Sequence, residues 1–198
     1  MIRDHYAPLD NIQLGALACK VPEALNPPAV QLDSPAVLVM TDLARVPAAT
    51  IAAQASLPET NQSMLHRGVR MLFVTGSDHS LLGIVTAHDV LGERPVLVAR
   101  ERTTKRDDLR VSDIMTPIAQ LQAIPMPNVQ RAEVGHIVAT LKSAGRHHAI
   151  VVEPAADGRQ QVRGIFSLTQ IARQLGVTIN TSEVARNFAE IEAVLANV

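Results

Sequence analysis

The stretch Gly83-Ile84-Val85-Thr86-Ala87-His88-Asp89 recurs in altered form 81 positions later, as Gly164-Ile165-Phe166-Ser167-Leu168-Thr169-Gln170. In both copies a glycine precedes two apolar residues, a hydroxyl residue and, three positions further on, a second polar residue. This order predicts a strand that runs into the N-terminal cap of a helix. Its recurrence indicates a tandem duplication, and the replacement of Asp89 by Gln170 indicates that the two copies differ in function.

Composition narrows the class of protein. A chain of 198 residues with 47% hydrophobic residues can bury a core, either as one domain or as two small ones. A formal net charge of −1 gives no electrostatic reason to expect nucleic acid or an anionic membrane as partner. The single cysteine, Cys19, excludes an internal disulfide framework and a multi-cysteine metal site. No apolar run approaches the roughly 18 residues of a membrane span, and the N-terminus lacks signal-peptide order, so we expect a cytoplasmic protein.

The chain is poor in aromatic residues, with no Trp, one Tyr and three Phe. Single-stranded nucleic acids are usually bound by stacking their bases on aromatic rings, so this mode of binding is not expected. A planar ligand would instead lie between aliphatic side chains. Sequence signatures of a Gly-rich phosphate loop, a nucleophile elbow or an HExxH site are missing, so we expect neither enzyme activity nor a metal centre.

Aligning the halves outward from the repeated motif predicts the same β-α-β-β-α order in each. Met40-Thr41-Asp42 corresponds to Met115-Thr116-Pro117. The first half is predicted to contain strands at 49–51, 69–74 and 81–85, with helices at 57–68 and 88–91. The second half is predicted to contain strands near 124–126 and at 146–152 and 162–166, with helices at 134–145 and 168–175. Glycine ends each long helix, because it readily adopts the left-handed backbone found there.

The Met-Thr starts, the GVRMLFV strand at 68–74 and the LLGIVTAHDV motif at 81–90 resemble a tandem pair of CBS domains, the modules named after cystathionine β-synthase. The resemblance covers repeats at 37–92 and 111–176. It implies an α+β fold in which two β-α-β-β-α repeats pack pseudo-symmetrically, with an N-terminal arm (1–36), a linker (93–110) and a C-terminal helix (177–198).

The same resemblance implies a regulatory Bateman module. Its members typically bind an adenine nucleotide (AMP, ADP or ATP) or S-adenosylmethionine as a regulatory ligand in the cleft between the repeats, with no required cofactor, and they often form homodimers. No effector domain is evident in the chain, so the output would come from another protein or from rearrangement of the dimer. The alternative is a ligand-free dimerisation scaffold. A sensor linked to DNA is disfavoured, because no helix-turn-helix or basic face is evident.

Thr86 and Asp89 are the main candidates for ligand binding. Thr86 is predicted at a helix N-terminus, where backbone N–H groups and a hydroxyl favour a phosphate. Asp89 accepts hydrogen bonds only, and its carboxylate can receive both hydrogens of a ribose diol. The resemblance assigns the matching Thr to phosphate and the matching Asp to ribose. The same pair also fits a capping box, and the two roles do not exclude one another.

The resemblance also places four residues of the first repeat near an adenine ring: Thr50 and Ile51 on its first strand, and Arg70 with the adjacent Met71 on its second. For Arg70 a solvated strand end is the alternative.

A second, weaker site is predicted at Ser167, Gln170, Arg146 and His147. Ser167 and Gln170 still suit a capping box, but the Gln170 amide offers one acceptor oxygen and no charge, so the first site should bind more tightly. His147 and His148 are interpreted as the polar end of a strand rather than as metal ligands, because adjacent side chains on a strand point to opposite faces.

The segments outside the repeats give less information. The linker carries six basic and four acidic residues and is interpreted as a solvated connector rather than a contact for outer phosphates, with Ser112 as the cap of a following helix. Val184, Phe188, Ile191 and Leu195 form one apolar helical stripe, which would pack on its own module or on a partner subunit. The role of the N-terminal arm is not assigned.

Overall fold

The β-α-β-β-α order predicted for each half is present in a computed structural model, which describes residues 29–177, 188–191 and 193. The first half contains β1 (Thr41–Asp42), β2 (Thr50–Ala52), α1 (Leu57–Arg67), β3 (Met71–Thr75), β4 (Leu81–Thr86) and α2 (Ala87–Leu91). Two helices follow, α3 (Arg94–Glu101) and α4 (Val111–Ile114). The second half contains β5 (Thr116–Pro117), β6 (Ala123–Pro125), α5 (Met126–Arg131), α6 (Val134–Ala144), β7 (His148–Pro154), β8 (Gln160–Ser167) and α7 (Leu168–Gln174).

The two halves exchange their opening strands. One sheet has the order β2-β3-β4-β5, and the other has the order β1-β8-β7-β6. Thus β1, which opens the first half, pairs antiparallel with β8, while β5, which opens the second half, pairs antiparallel with β4. Each sheet is therefore completed by a strand from the other half of the chain.

The glycine of each repeated motif makes room for the exchanged strand. A Cβ atom added to Gly83 would lie 2.2 Å from the Thr116 carbonyl oxygen on β5. A Cβ added to Gly164 would lie 2.6 Å from the Met40 sulfur and 2.9 Å from the Thr41 carbonyl oxygen. Since real Cβ atoms do not approach other atoms so closely, the motif requires glycine for the close approach of two backbones.

The strand registers confirm the alignment of the two halves. Met71 pairs with Thr86 in the first sheet, as His148 pairs with Ser167 in the second. The backbone N–H of Ala87 donates to the carbonyl of Arg70 at 2.9 Å, and in the second half the N–H of Leu168 donates to the carbonyl of His147 at 2.8 Å. Both hairpins also carry a register shift at the same position, at 74/75 and at 151/152. The pseudo-symmetry extends to individual backbone hydrogen bonds.

Helices pack on one face of each sheet, and the other sheet packs on its opposite face. Along β3, Leu72 and Val74 face a core shared with helices α1 to α4, whereas Met71 and Phe73 face the second sheet, where they meet Ile150. This alternation follows from the two-residue period of a strand. A third core lies under α5, α6 and α7 of the second half. The cluster between the sheets joins the two repeats into one body.

Local capping sets the helix boundaries. Ser56 caps α1 in a capping box with Glu59, and Gly68 and Gly145 end α1 and α6 with φ values of 63° and 60°. The prediction for Ser112 is wrong. It lies inside α4, and Asp113 instead accepts a 2.7 Å hydrogen bond from the N–H of Arg110, the residue before the helix.

The linker is more ordered than a solvated connector. Residues 94–101 form α3, and Ala99 and Leu109 are buried in the core of the first half. Arg102 pairs with Asp113, and Arg106 donates to the carbonyl of Val90 at 3.3 Å. Arg102 and Arg106 therefore bind protein groups, which the counts of charged residues did not predict.

The described parts of the two termini pack on the second half. Val30 and Ala36 of the predicted arm, and Phe188 and Ile191 of the predicted C-terminal stripe, are buried in the same core. Residues 188–191 are helical, and because Phe188 and Ile191 lie in this core, they pack on their own module. Val184 and Leu195, like most of the arm, lie outside the described residues. None of the described helices is both long enough and apolar enough to cross a bilayer.

Candidate functional site

A cavity of about 260 Å³ lies between the two repeats, at the end of the first-repeat motif. The first repeat and the exchanged strand β5 supply one wall, and the start of β7 with the loop before it supplies the other. The lining residues are Arg70, Ile84, Thr86, Ala87, His88, Asp89, Thr116, Gly145, Arg146, His147, His148 and Thr169. The cavity thus depends on both halves of the duplication.

Thr86 and Asp89 form a complete capping box at the cavity edge. One carboxylate oxygen of Asp89, Oδ2, accepts from the Thr86 N–H at 2.8 Å and from the Thr86 hydroxyl at 2.7 Å. The Asp89 N–H donates back to the Thr86 hydroxyl oxygen at 3.3 Å. The predicted cap is confirmed, and it fixes both side chains where β4 meets α2.

The second carboxylate oxygen of Asp89 binds an arginine from the linker. Arg94, the first residue of α3, places Nη1 at 3.0 Å from Asp89 Oδ1 and donates through Nη2 to the Met115 carbonyl at 3.0 Å. The Asp89 side chain is 13% exposed and that of Arg94 is 39% exposed. A partly buried carboxylate is thereby kept paired, as burial of a charge requires.

Basic side chains line both walls of the cavity. Arg70 and Arg146 are exposed at its surface, and His147 and His148 are half-buried beside them. Burial lowers the pKa of the His148 imidazole to about 4, and the charges of His147 and Arg70 add to the effect. Burial also lowers the pKa of His147, again with Arg70 nearby. At neutral pH both imidazoles are therefore uncharged, and the guanidinium groups of Arg70 and Arg146 contribute positive charge from both walls.

The structure brings together residues that the sequence assigned to two separate sites. Arg146 and His147, predicted for the second site, line the same cavity as Thr86, Asp89 and Arg70. The reason is geometric, because the two sheets pack on one another through Ile150 of β7, which places the start of β7 opposite the motif of the first repeat.

The other residues that the sequence predicts to bind a ligand do not line this cavity. Thr50 and Ile51 lie on β2, away from it, and the Met71 side chain is 6% exposed and packs between the two sheets. Ser167 and Gln170 are also outside its lining. The sequence assigned Arg70 and Met71 to one site because they are adjacent. In the structure Arg70, just before β3, borders the cavity, whereas Met71 faces the core between the sheets.

The predicted second capping box is absent. Ser167 makes no side-chain hydrogen bond as the cap of α7, and Gln170 Oε1 instead accepts from the hydroxyl of Thr41 at 3.3 Å. Thr41 belongs to β1, the strand exchanged into this sheet. Leu168, which corresponds to Ala87, is fully buried. The second motif therefore secures the exchanged strand instead of capping its own helix.

Sequence reasoning missed several residues of the cavity. Thr116 follows the second Met-Thr start and reaches the site because β5 joins the sheet of the first repeat. His148, the first residue of β7, and Thr169, in the first turn of α7, come from the other half. The sequence did contain a signal for Thr116, since the matched Met-Thr starts mark equivalent strands, but only the strand exchange shows which site they reach.

Among residues 29–177, 188–191 and 193, no group of three or more His, Cys, Asp and Glu side chains is arranged to hold a metal ion. The cavity offers guanidinium and hydroxyl donors and one paired carboxylate. This chemistry suits an anion that also carries hydroxyl groups.

Comparisons with known proteins agree with the fold. Residues 39–95 match the model of the CBS domain family. A solved structure of an uncharacterized conserved protein from Pyrococcus horikoshii is 20% identical with a TM-score of 0.53, and the match covers 77% of this chain and 100% of that one. A structure of CBSX2 in complex with AMP is 19% identical with a TM-score of 0.49, over 71% of this chain and 93% of that one.

A CBS domain protein of unknown function from Thermoplasma acidophilum is 15% identical, with a TM-score of 0.49, over 78% of this chain and 75% of that one. A search among curated protein sequences finds no significant match. Residues 39–95 therefore match a CBS domain, and the second half repeats the same fold, which is consistent with the tandem pair of such domains that the sequence predicts.

Proposed function

We propose that the chain is a regulatory module that binds an adenine nucleotide in the cavity between its repeats. Whether this site is occupied would control an effector protein. The observation that carries the proposal is the convergence of Thr86 and Asp89 from one repeat with Arg146 from the other on a single cavity. A ligand that spans such a cavity makes different contacts when the repeats shift, which is the condition for a regulatory response.

The charge of the cavity favours a phosphate ligand over S-adenosylmethionine. Arg70 and Arg146 contribute two positive charges, and the charge of Asp89 is matched by Arg94. A nucleotide phosphate complements this surface, whereas the sulfonium group of S-adenosylmethionine is cationic. The volume of about 260 Å³ lies at the lower end of ligand pockets, which favours a mononucleotide such as AMP over a dinucleotide.

The guanidinium groups are better placed for the phosphate than the helix N-terminus is. At the start of α2 the Ala87 N–H already binds the Arg70 carbonyl, and the Asp89 N–H binds Thr86. These donors are no longer free for a ligand. We therefore assign the phosphate to Arg70 and Arg146, with the Thr86 hydroxyl as an additional donor and Asp89 as the acceptor for ribose.

Thermal unfolding of the full chain with AMP, ADP, ATP and S-adenosylmethionine tests the proposal. A ligand at 100 times its dissociation constant stabilises the folded protein by about 2.7 kcal/mol. We expect AMP to raise the unfolding temperature of the wild type and of Gln170→Ala, the matched variant in the other motif, but not of Asp89→Ala. A shift that survives in Asp89→Ala and is lost in Gln170→Ala would place the site at the second motif.

A ligand-free scaffold is the second candidate, and one observation favours it. Thr86 and Asp89 already satisfy each other as a cap, and Arg94 satisfies the remaining carboxylate oxygen, so their presence is explained without a ligand. If none of the four ligands changes the unfolding temperature while the chain sediments as a dimer, the scaffold function is the better description.

A further inference from the structure

Arg94 lies outside both repeated motifs, yet it is the only described side chain beyond the capping box that hydrogen-bonds to Asp89. Its guanidinium connects two parts of the cavity wall. Nη1 binds the Asp89 carboxylate, and Nη2 binds the carbonyl of Met115, the residue directly before Thr116. One planar group thus ties the motif of the first repeat to the exchanged strand β5.

From this geometry we infer that Arg94 is a positioning residue for ribose recognition: it orients the Asp89 carboxylate and holds β5 against it, without contacting the ligand itself. The inference rests on the proposed function, since it concerns how the same cavity would hold a ribose. Arg94 is not among the residues that line the cavity, so its effect has to pass through Asp89 and Met115.

The hydrogen bonds that Asp89 already makes decide whether Arg94 orients the carboxylate for the ribose or competes with the ribose for it. A carboxylate has about four acceptor sites, and three are in use by the Thr86 N–H, the Thr86 hydroxyl and Arg94. A ribose diol needs two, so one existing bond has to be released.

The hydrogen bond from the Thr86 hydroxyl to Asp89 is easier to release than the one from Arg94. The hydroxyl can rotate away from Asp89 towards a phosphate by breaking a single neutral-donor hydrogen bond. Displacing Arg94 would break an ion pair at a carboxylate that is 13% exposed, together with the bond to Met115. Arg94 therefore stays in place while the ribose binds, and it fixes the direction of the oxygen that the diol approaches.

Guanidinium geometry explains why arginine stands at this position. Its planar fork donates in two directions at once, whereas a lysine ammonium is a compact point charge on a flexible stem. Arg94→Lys would keep the charge next to Asp89 without the fixed geometry towards both Asp89 and Met115. A positioning role therefore predicts only partial rescue by lysine.

The test compares AMP with 2′,3′-dideoxy-AMP, which keeps the adenine and the phosphate and lacks the diol. Binding to the full chain is measured by calorimetry for the wild type, Arg94→Ala, Arg94→Lys and Arg102→Ala. Arg102 is a matched control, since it forms an arginine–aspartate pair in the same linker, outside the cavity lining.

We expect Arg94→Ala to weaken AMP binding about tenfold or more, as for the loss of an oriented charge-assisted contact, and to leave dideoxy-AMP binding nearly unchanged. Arg94→Lys should lie between Arg94→Ala and the wild type, and Arg102→Ala should match the wild type. If Arg94→Ala does not fold, the AMP to dideoxy-AMP ratio of Arg94→Lys decides the same question.

Three results would overturn the inference. Equal weakening of both ligands would show a general structural effect of Arg94, tighter AMP binding would show that it competes with the ribose, and unchanged AMP binding would show no role at all. Failure of the wild type to bind AMP is a different outcome, because it removes the proposed function itself and the inference with it.

Discussion

Asp89 and Gln170 occupy equivalent positions in the two repeats and have different partners. Asp89 closes a capping box with Thr86 and pairs with Arg94 of the linker. Gln170 accepts from Thr41 on the exchanged strand, and Ser167 before it makes no cap bond. At this position, the change from carboxylate to amide accompanies a change from a helix cap beside a cavity to a hydrogen bond that holds the exchanged strand.

Alanine substitutions in the two motifs should reveal this difference. Thr86→Ala removes the cap hydroxyl of α2 and should lower the free energy of unfolding by about 1 kcal/mol. Ser167→Ala removes a hydroxyl with no cap bond and should change it by less than about 0.5 kcal/mol. Urea unfolding of both variants beside the wild type measures these values. Equal losses in the two variants would contradict the view that only the first motif caps its helix.

At the level of elements, the exchanged strands β1 and β5 are each only two residues long. Such short strands contribute little pairing by themselves, so their position depends on close contact with the neighbouring strand. Gly83 and Gly164 permit that contact. The glycine that opens each motif therefore matters for the sheet as much as for the turn into the helix.

Gly83→Ala should disrupt the pairing of β5 with β4. The added methyl group would meet the Thr116 carbonyl at 2.2 Å, and overpacking against backbone costs about 1–3 kcal/mol. Gly135→Ala is the matched control, because Gly135 lies inside helix α6, where alanine is favoured, and its Cβ would lie 3.4 Å from the nearest atom, the Leu32 carbonyl oxygen. We expect denaturant unfolding to show a loss for the first variant and no loss for the second. A Gly83→Ala protein as stable as the wild type would contradict the role assigned to this glycine.

For the whole molecule, the cluster between the two sheets decides whether the repeats act as one body. Met71, Phe73 and Ile84 of the first sheet meet Ile150 of the second. Each repeat is small, and a unit of about 60 residues buries a small enough share of its surface to be only marginally stable by itself. The inter-sheet contact therefore stabilises both halves and sets the width of the cavity at their edge.

Phe73→Ala should destabilise the entire chain rather than one repeat. Phe73 is 3% exposed, and removing a buried phenylalanine ring costs about 3–5 kcal/mol. Leu65, which is 71% exposed, supplies a control whose replacement by alanine should change stability by about 0.5 kcal/mol or less. We expect a single, cooperative unfolding transition at lower temperature in calorimetry. Two separated transitions would show that the repeats unfold independently.

The sequence by itself determined the duplication, the order of the elements and the ends of the long helices. These features come from local signals, such as the left-handed glycines at 68 and 145, the Thr86–Asp89 cap and the apolar periodicity of strands and helices. Because each of these local signals depends on residues that are close together in the chain, it can be recognised without a structure. The disposition of Ser112 and the ordered linker were exceptions, since tertiary contacts outweighed their local pattern.

Only the tertiary structure decided which residues share the cavity. Arg146 and His147 join Thr86 and Asp89 because the two sheets pack on one another, and Thr116 joins them because β5 is exchanged into the first sheet. The link from Arg94 to Asp89 and Met115 likewise depends on where α3 folds back. Strand pairing between distant segments carries almost no local signal, so the repeated motif identified a candidate residue pair while the fold assembled the site around it.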